Sequence, residues 1–130
     1  MERPAKSIEE IVAQDSRYPL DAVNFVRQGL SFTVEQLKPA RNEPDKPRHI
    51  SGAQLCQGLR ALALKKWGFM ARQVLQNWNI TTTRDFGEIV FLLVNHGWMQ
   101  KEPADCLEDF DGVYDFAEAF DKYYETSLYE

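Results

Sequence analysis

The stretch "RDFGEIVFLLVNHGWMQKEPADCLEDFDGVYDF", residues 84–116, decides how the chain is read. It opens on an apolar run, Ile89 to Val94, that is β-branched enough for a strand. Its long flanks and the glycine at Gly97 instead favour a helix from about Arg84 to Asn95. Beyond it, "WMQK" (98–101) and "VYDF" (113–116) can pair as a two-stranded wing, with "EPADCLEDFDG" as the loop and Asp111-Gly112 as its turn chemistry.

Upstream, Ser51 and Gln54 form a capping-box pair, in which two side chains serve backbone donors at a helix start. Leu55, Cys56, Leu59, Leu62, Ala63 and Trp67 then make one stripe that stops at Gly68. Met70, Val74, Leu75 and Trp78 space a shorter helix, and "NITTT" (79–83) supplies hydroxyls to cap the next one. Helix, helix, turn, helix, strand, wing, strand is the order of winged helix-turn-helix domains. The expected fold is therefore mainly α, a winged-helix-like helical core with a small two-stranded hairpin and extra N-terminal helices.

Those N-terminal helices occupy residues 1–38. Ser7 and Glu10 make another capping box, and Pro19 suits the first turn of the next helix, where its missing N–H costs nothing. Leu20, Val23, Val26, Leu30, Val34 and Leu37 form one stripe, with Ala22, Phe25, Gly29 and Phe32 beside it, so this helix belongs to the core unless Gly29 divides it. Residues 39–50 begin "PARNEPDKP" and read as an exposed Pro-rich linker. The remainder, 51–130, holds the winged-helix-like core, the acidic hairpin and the C-terminal segment, within a single domain 1–130.

Composition bounds the class. With 44% hydrophobic residues the chain can bury a core, and no apolar run approaches a membrane span. The start, "MERPAKSIEE", has charges and no apolar h-region, which predicts no secretory signal and a cytoplasmic location. Cys56 and Cys106 have no paired spacing and are expected as reduced thiols. The net charge of −5 is uneven, because residues 101–130 carry ten acids against two bases. Such a tail is a solvated face, an acidic surface for a basic partner, or a segment that folds back on the basic half of its own chain.

A groove-reading helix needs a polar face and a cationic surround. Here Phe86, Ile89, Val90, Phe91, Leu92, Leu93 and Val94 leave almost no polar face, and Asp85 and Glu88 would meet the phosphates. The wing loop holds Glu102, Asp105, Glu108, Asp109 and Asp111 against Lys101. A nucleic-acid alternative rests on Arg60, Lys65, Lys66 and Arg72, with Lys46 and Arg48 nearby. A third class, a carboxylate metal-binding protein or metal-dependent enzyme, would need those acids to converge. "DFDG" departs from an EF-hand loop, since Gly112 comes too early and Val113 stands where an oxygen ligand belongs. Cys56, Cys106, His49 and His96 have no zinc-ligand spacing, and His96 at a helix end suits the helix dipole instead. No phosphate loop, nucleophile elbow or Cys–His pair is present, so no cofactor and no catalytic residue is expected.

Trp67, Phe69, Trp78, Phe86 and Phe91 fall at core spacing. Trp98, Tyr114, Phe116 and the terminal Tyr123, Tyr124 and Tyr129, interleaved with acids, can either cover the core or form an amphipathic docking surface. The functional expectation is a protein-interaction or regulatory module acting through Asp105, Glu108, Asp109, Asp111, Tyr114 and Asp115 on a protein partner not identifiable from the chain.

Taken together, "RHISGAQL", "RDFGEIVFLLVNHGWM", "EDFDGVYDF" and "AEAF" resemble a family of short conserved hypothetical bacterial proteins, the Minf type, over most of the chain. The resemblance implies a bacterial, cytosolic, single-domain protein and brings no activity, cofactor or site residue with it.

Overall fold

The computed structural model describes residues 6–37, 50–103 and 105–122. The expected linker, apart from Ile50, lies outside them, with Lys46, Arg48 and His49, and so do the terminal Tyr123, Tyr124 and Tyr129. Five α-helices build the described part: α1 (Ile8–Asp15), α2 (Leu20–Leu37), α3 (Gly52–Trp67), α4 (Ala71–Asn77) and α5 (Thr83–Asn95).

Both expected capping boxes form. The Ser7 hydroxyl accepts from Glu10 N at 3.1 Å while Glu10 accepts from Ser7 N at 2.8 Å. Ser51 and Gln54 do the same at 3.1 and 3.0 Å. Gly68 ends α3 at φ 54°, its N–H bonded to Leu64 O. Gly97, at φ 82°, ends α5 in a Schellman turn: its N–H reaches Val94 O at 3.1 Å, and Trp98 N reaches Leu93 O at 2.8 Å. Asn79 makes the matching turn after α4 at φ 66° and donates its side-chain amide to Arg17 O, so the "NITTT" break is also a tertiary contact.

Gly29 does not divide α2. It sits where α2 crosses α3, and a Cβ there would run into Leu59, just as a Cβ at Gly58 would run into Thr33. The two glycines let the helices approach closely, and the buried Thr33 hydroxyl is satisfied by Gly29 O at 2.7 Å. Phe25, Trp67 and Trp78 close the far side of this crossing, with ring centroids 5.1 to 5.9 Å apart. The core continues through Leu59, Leu75, Ile80, Phe86, Ile89 and Leu93, none of which is exposed.

The hairpin is the correction. Among the described residues there is no strand, and neither 98–101 nor 113–116 belongs to a ladder. Residues 105–116 instead form a strap with a 3₁₀ turn at Leu107–Phe110, followed by a π-helical turn at Ala117–Lys122. Asp111-Gly112 is still a turn, with Gly112 at φ 60°. What excludes a ladder is that the strap's backbone and side chains are claimed by helices. Thr83 takes the Phe110 carbonyl and the Val113 N–H. Phe110 fills a notch over Gly87 and Gly52, where added Cβ atoms would lie 2.6 and 3.0 Å from its ring. Phe116 and Phe120 are buried beyond it, 5.1 Å apart in a T-shaped pair. The core is thus mainly α without a wing.

Candidate functional site

The acidic segment meets the structure residue by residue. Tyr114 turns inward: its hydroxyl donates to Cys56 O at 2.7 Å, its ring lies 5.9 Å from Phe116, and burial raises its ionisation above the usual tyrosine range. Asp111 pairs with Arg84 at 2.9 Å, and the bond holds the guanidinium above its ordinary pKa. Asp115 accepts from Glu118 N at 3.2 Å and so starts the final turn. Asp109 accepts from Cys106 N at 3.0 Å, and Asp105 accepts from Glu102 N at 2.8 Å. Glu108 is exposed. Asp105, Asp109, Asp111 and Asp115 each organise a local turn or pair with a cation, and no group of three metal-binding side chains converges among the described residues.

The cations of the nucleic-acid alternative all make contacts within the fold. Arg60 donates to Ala119 O at 3.0 Å and Arg72 pairs with Asp121, so both hold the C-terminal turn. Lys65 lies over Phe32 and Lys66 over Trp67. The thiols are unpaired: Cys56 is buried, its pKa pushed up to about 12 by desolvation, and Cys106 is exposed. Among the described residues no helix is long and apolar enough to cross a membrane.

A different feature stands out on α5. Its buried face is Thr83, Phe86, Gly87, Ile89 and Leu93, whereas Val90, Phe91, Leu92 and Val94 are only half-buried. Part of that second apolar face, Val90, Phe91 and Val94, is the floor of a cleft of about 330 Å³. Leu30 and Val34 of α2 form one side, Ile50 and Leu55 at the start of α3 another, and Trp98 and Met99 close an end. The remaining wall is the strap, through Phe110, Asp105 and Asp109. Two turns position these parts. The Schellman turn at Gly97 swings Trp98 against the helices, where its Nε1 donates to Lys6 O at 2.9 Å. The Phe110 notch presses the strap to α5, with the Phe91 and Phe110 rings 6.5 Å apart and perpendicular.

The aromatics left open by sequence therefore separate. Tyr114 and Phe116 cover the core, and Trp98 lines the cleft. Sequence reasoning placed Phe91 at core spacing and read Val90 and Val94 only as part of a helix with almost no polar face. The signal that could have found them was the width of α5's apolar surface, more than one packing partner covers.

Comparison of the chain with family models, curated proteins and solved structures gives no match.

Proposed function

We propose that the chain is a cytoplasmic protein-interaction module that takes an apolar segment of its partner into the cleft between α2, α3 and α5, the acidic strap serving as one wall. The single observation behind this reading is the cleft itself. Its volume, about 330 Å³, is near the lower end of ligand-sized sites, and its floor is aliphatic and aromatic with carboxylates at one edge. Apolar surface gathered in a concave, polar-rimmed patch is the usual form of a docking site, because its burial supplies affinity and the rim supplies orientation. The acidic segment keeps its part in the interaction. It acts as a wall, with Asp105 and Asp109 facing the occupant, while Tyr114 anchors it from beneath.

Panning a display library of random short peptides on the full chain tests the proposal. Selected peptides should carry paired apolar residues and lose binding to Val94→Asp, which puts a charge on the cleft floor, with the helical circular dichroism unchanged. Failure to select any peptide, or selection of peptides indifferent to Val94→Asp, overturns the reading. A mobility shift with duplex DNA that Val94→Asp leaves intact would favour nucleic acid instead.

A further inference from the structure

Resting on the docking cleft just proposed, we infer that its occupant is a basic amphipathic segment, with apolar side chains on the cleft floor and a Lys or Arg beside them on the strap.

The argument is one of charge and shape. Asp105 and Asp109 both line the cleft, and Lys101 is the cation among its described lining residues. That lysine is turned to its own loop, Nζ lying 3.3 and 3.4 Å from the carbonyls of Asp105 and Glu102. Glu102 and Glu108 are exposed on the same segment, while Asp111 is matched by Arg84, so the field over this wall is negative on balance. Arg27 does not line the cleft; its guanidinium lies over the Trp98 ring in a neighbouring depression. Asp109 is fixed in place by its bond from Cys106 N, and a carboxylate has lone pairs to spare beyond such a bond. The floor and side supply ridges at i, i+4 spacing, Val90 with Val94 on α5 and Leu30 with Val34 on α2. A helical ligand's own i, i+4 side chains seat between ridges of that kind.

Two other occupants fit less well. The chain's own stretch 38–49, "KPARNEPDKPRH", is basic but has one alanine and three prolines as its apolar residues, so nothing in it fills the floor. A second copy, at net charge −5, would bring an acidic chain against the negative wall.

The test pans the same peptide library on the wild-type chain and on Asp105→Asn/Asp109→Asn, in which the amide oxygens can still accept the local backbone bonds. Wild type should select apolar pairs flanked by Lys or Arg. Those peptides should bind the double variant about tenfold more weakly, and the difference should vanish in high salt, as exposed charge pairs require. The double variant should itself select apolar peptides without the basic residue. Peptides that bind wild type with no basic excess, or that bind both proteins equally, overturn the charge assignment and leave the docking cleft standing. If no peptide is selected by either protein, the cleft reading falls as well. Asp21→Asn, exposed in the first turn of α2 and outside both the strap and the cleft lining, is the control and should change affinity less than twofold.

Discussion

The Thr83 hydroxyl donates to the Phe110 carbonyl at 2.6 Å and accepts from the Val113 N–H at 3.1 Å, so one buried side chain at the start of α5 holds both arms of the strap. Thr83→Val keeps the shape and removes both bonds. Leaving a buried carbonyl and a partly buried N–H unsatisfied should cost about 3 kcal/mol, against about 1 kcal/mol for Thr83→Ser, which loses a methyl. Urea unfolding of the two variants checks this; equal losses would show that the methyl, not the hydroxyl, matters.

Gly87→Ala should destabilise although alanine is the better helix former. The new Cβ would lie 2.6 Å from Phe110 Cγ, inside any ordinary contact. The steric cost, about 1 to 3 kcal/mol, should outweigh a helix-propensity gain of up to about 1 kcal/mol. Phe110→Gly removes all three atoms that the methyl would meet, so the double variant should lose less than the two single losses combined. Additive losses in a double-mutant cycle would contradict the notch.

Replacing Asp109, Asp111 and Asp115 together by Asn should leave the protein folded. Asn can still accept the bonds from Cys106 N and Glu118 N, and the Arg84–Asp111 pair is solvent-exposed. Such pairs contribute little, so the melting temperature should move by only a few degrees. A collapse of the thermal transition would mean that these charges hold the strap in place.

Stability should fall as the solution becomes alkaline. Desolvation raises Cys56 to about 12 and also raises Tyr18 and Tyr114. In the unfolded chain the same groups ionise from about pH 8.5 for the thiol and about pH 10 for the phenols. Between those values and the folded ones, the unfolded chain binds fewer protons, so the free energy of unfolding declines with rising pH. The stability these groups allow is intact below the unfolded values and is lost as pH climbs through that window. Urea melts between neutral and alkaline pH should show the decline, with an onset displaced upward in Cys56→Ala. At neutral pH a thiol reagent should modify Cys106 in the folded protein and reach Cys56 only after unfolding.

Where helices begin and end was legible because those signals act over three or four residues. Ser7 with Glu10, Ser51 with Gln54, and the glycines at 68 and 97 complete their hydrogen bonds locally, whatever the rest of the chain does. The path of residues 98–116 was not legible. "WMQK" and "VYDF" satisfy the pattern of paired strands as well as they satisfy a strap, and the choice is made by Thr83 and Gly87, more than twenty residues from Phe110. The acidic segment was read as a candidate surface, but periodicity along one helix does not say how much of its circumference the neighbours cover. Only the packing of α2, α3 and the strap around α5 decides that Phe86 and Ile89 are sealed while Val90 and Val94 floor a cleft, because burial is a property of what lies opposite a side chain and not of the side chain itself.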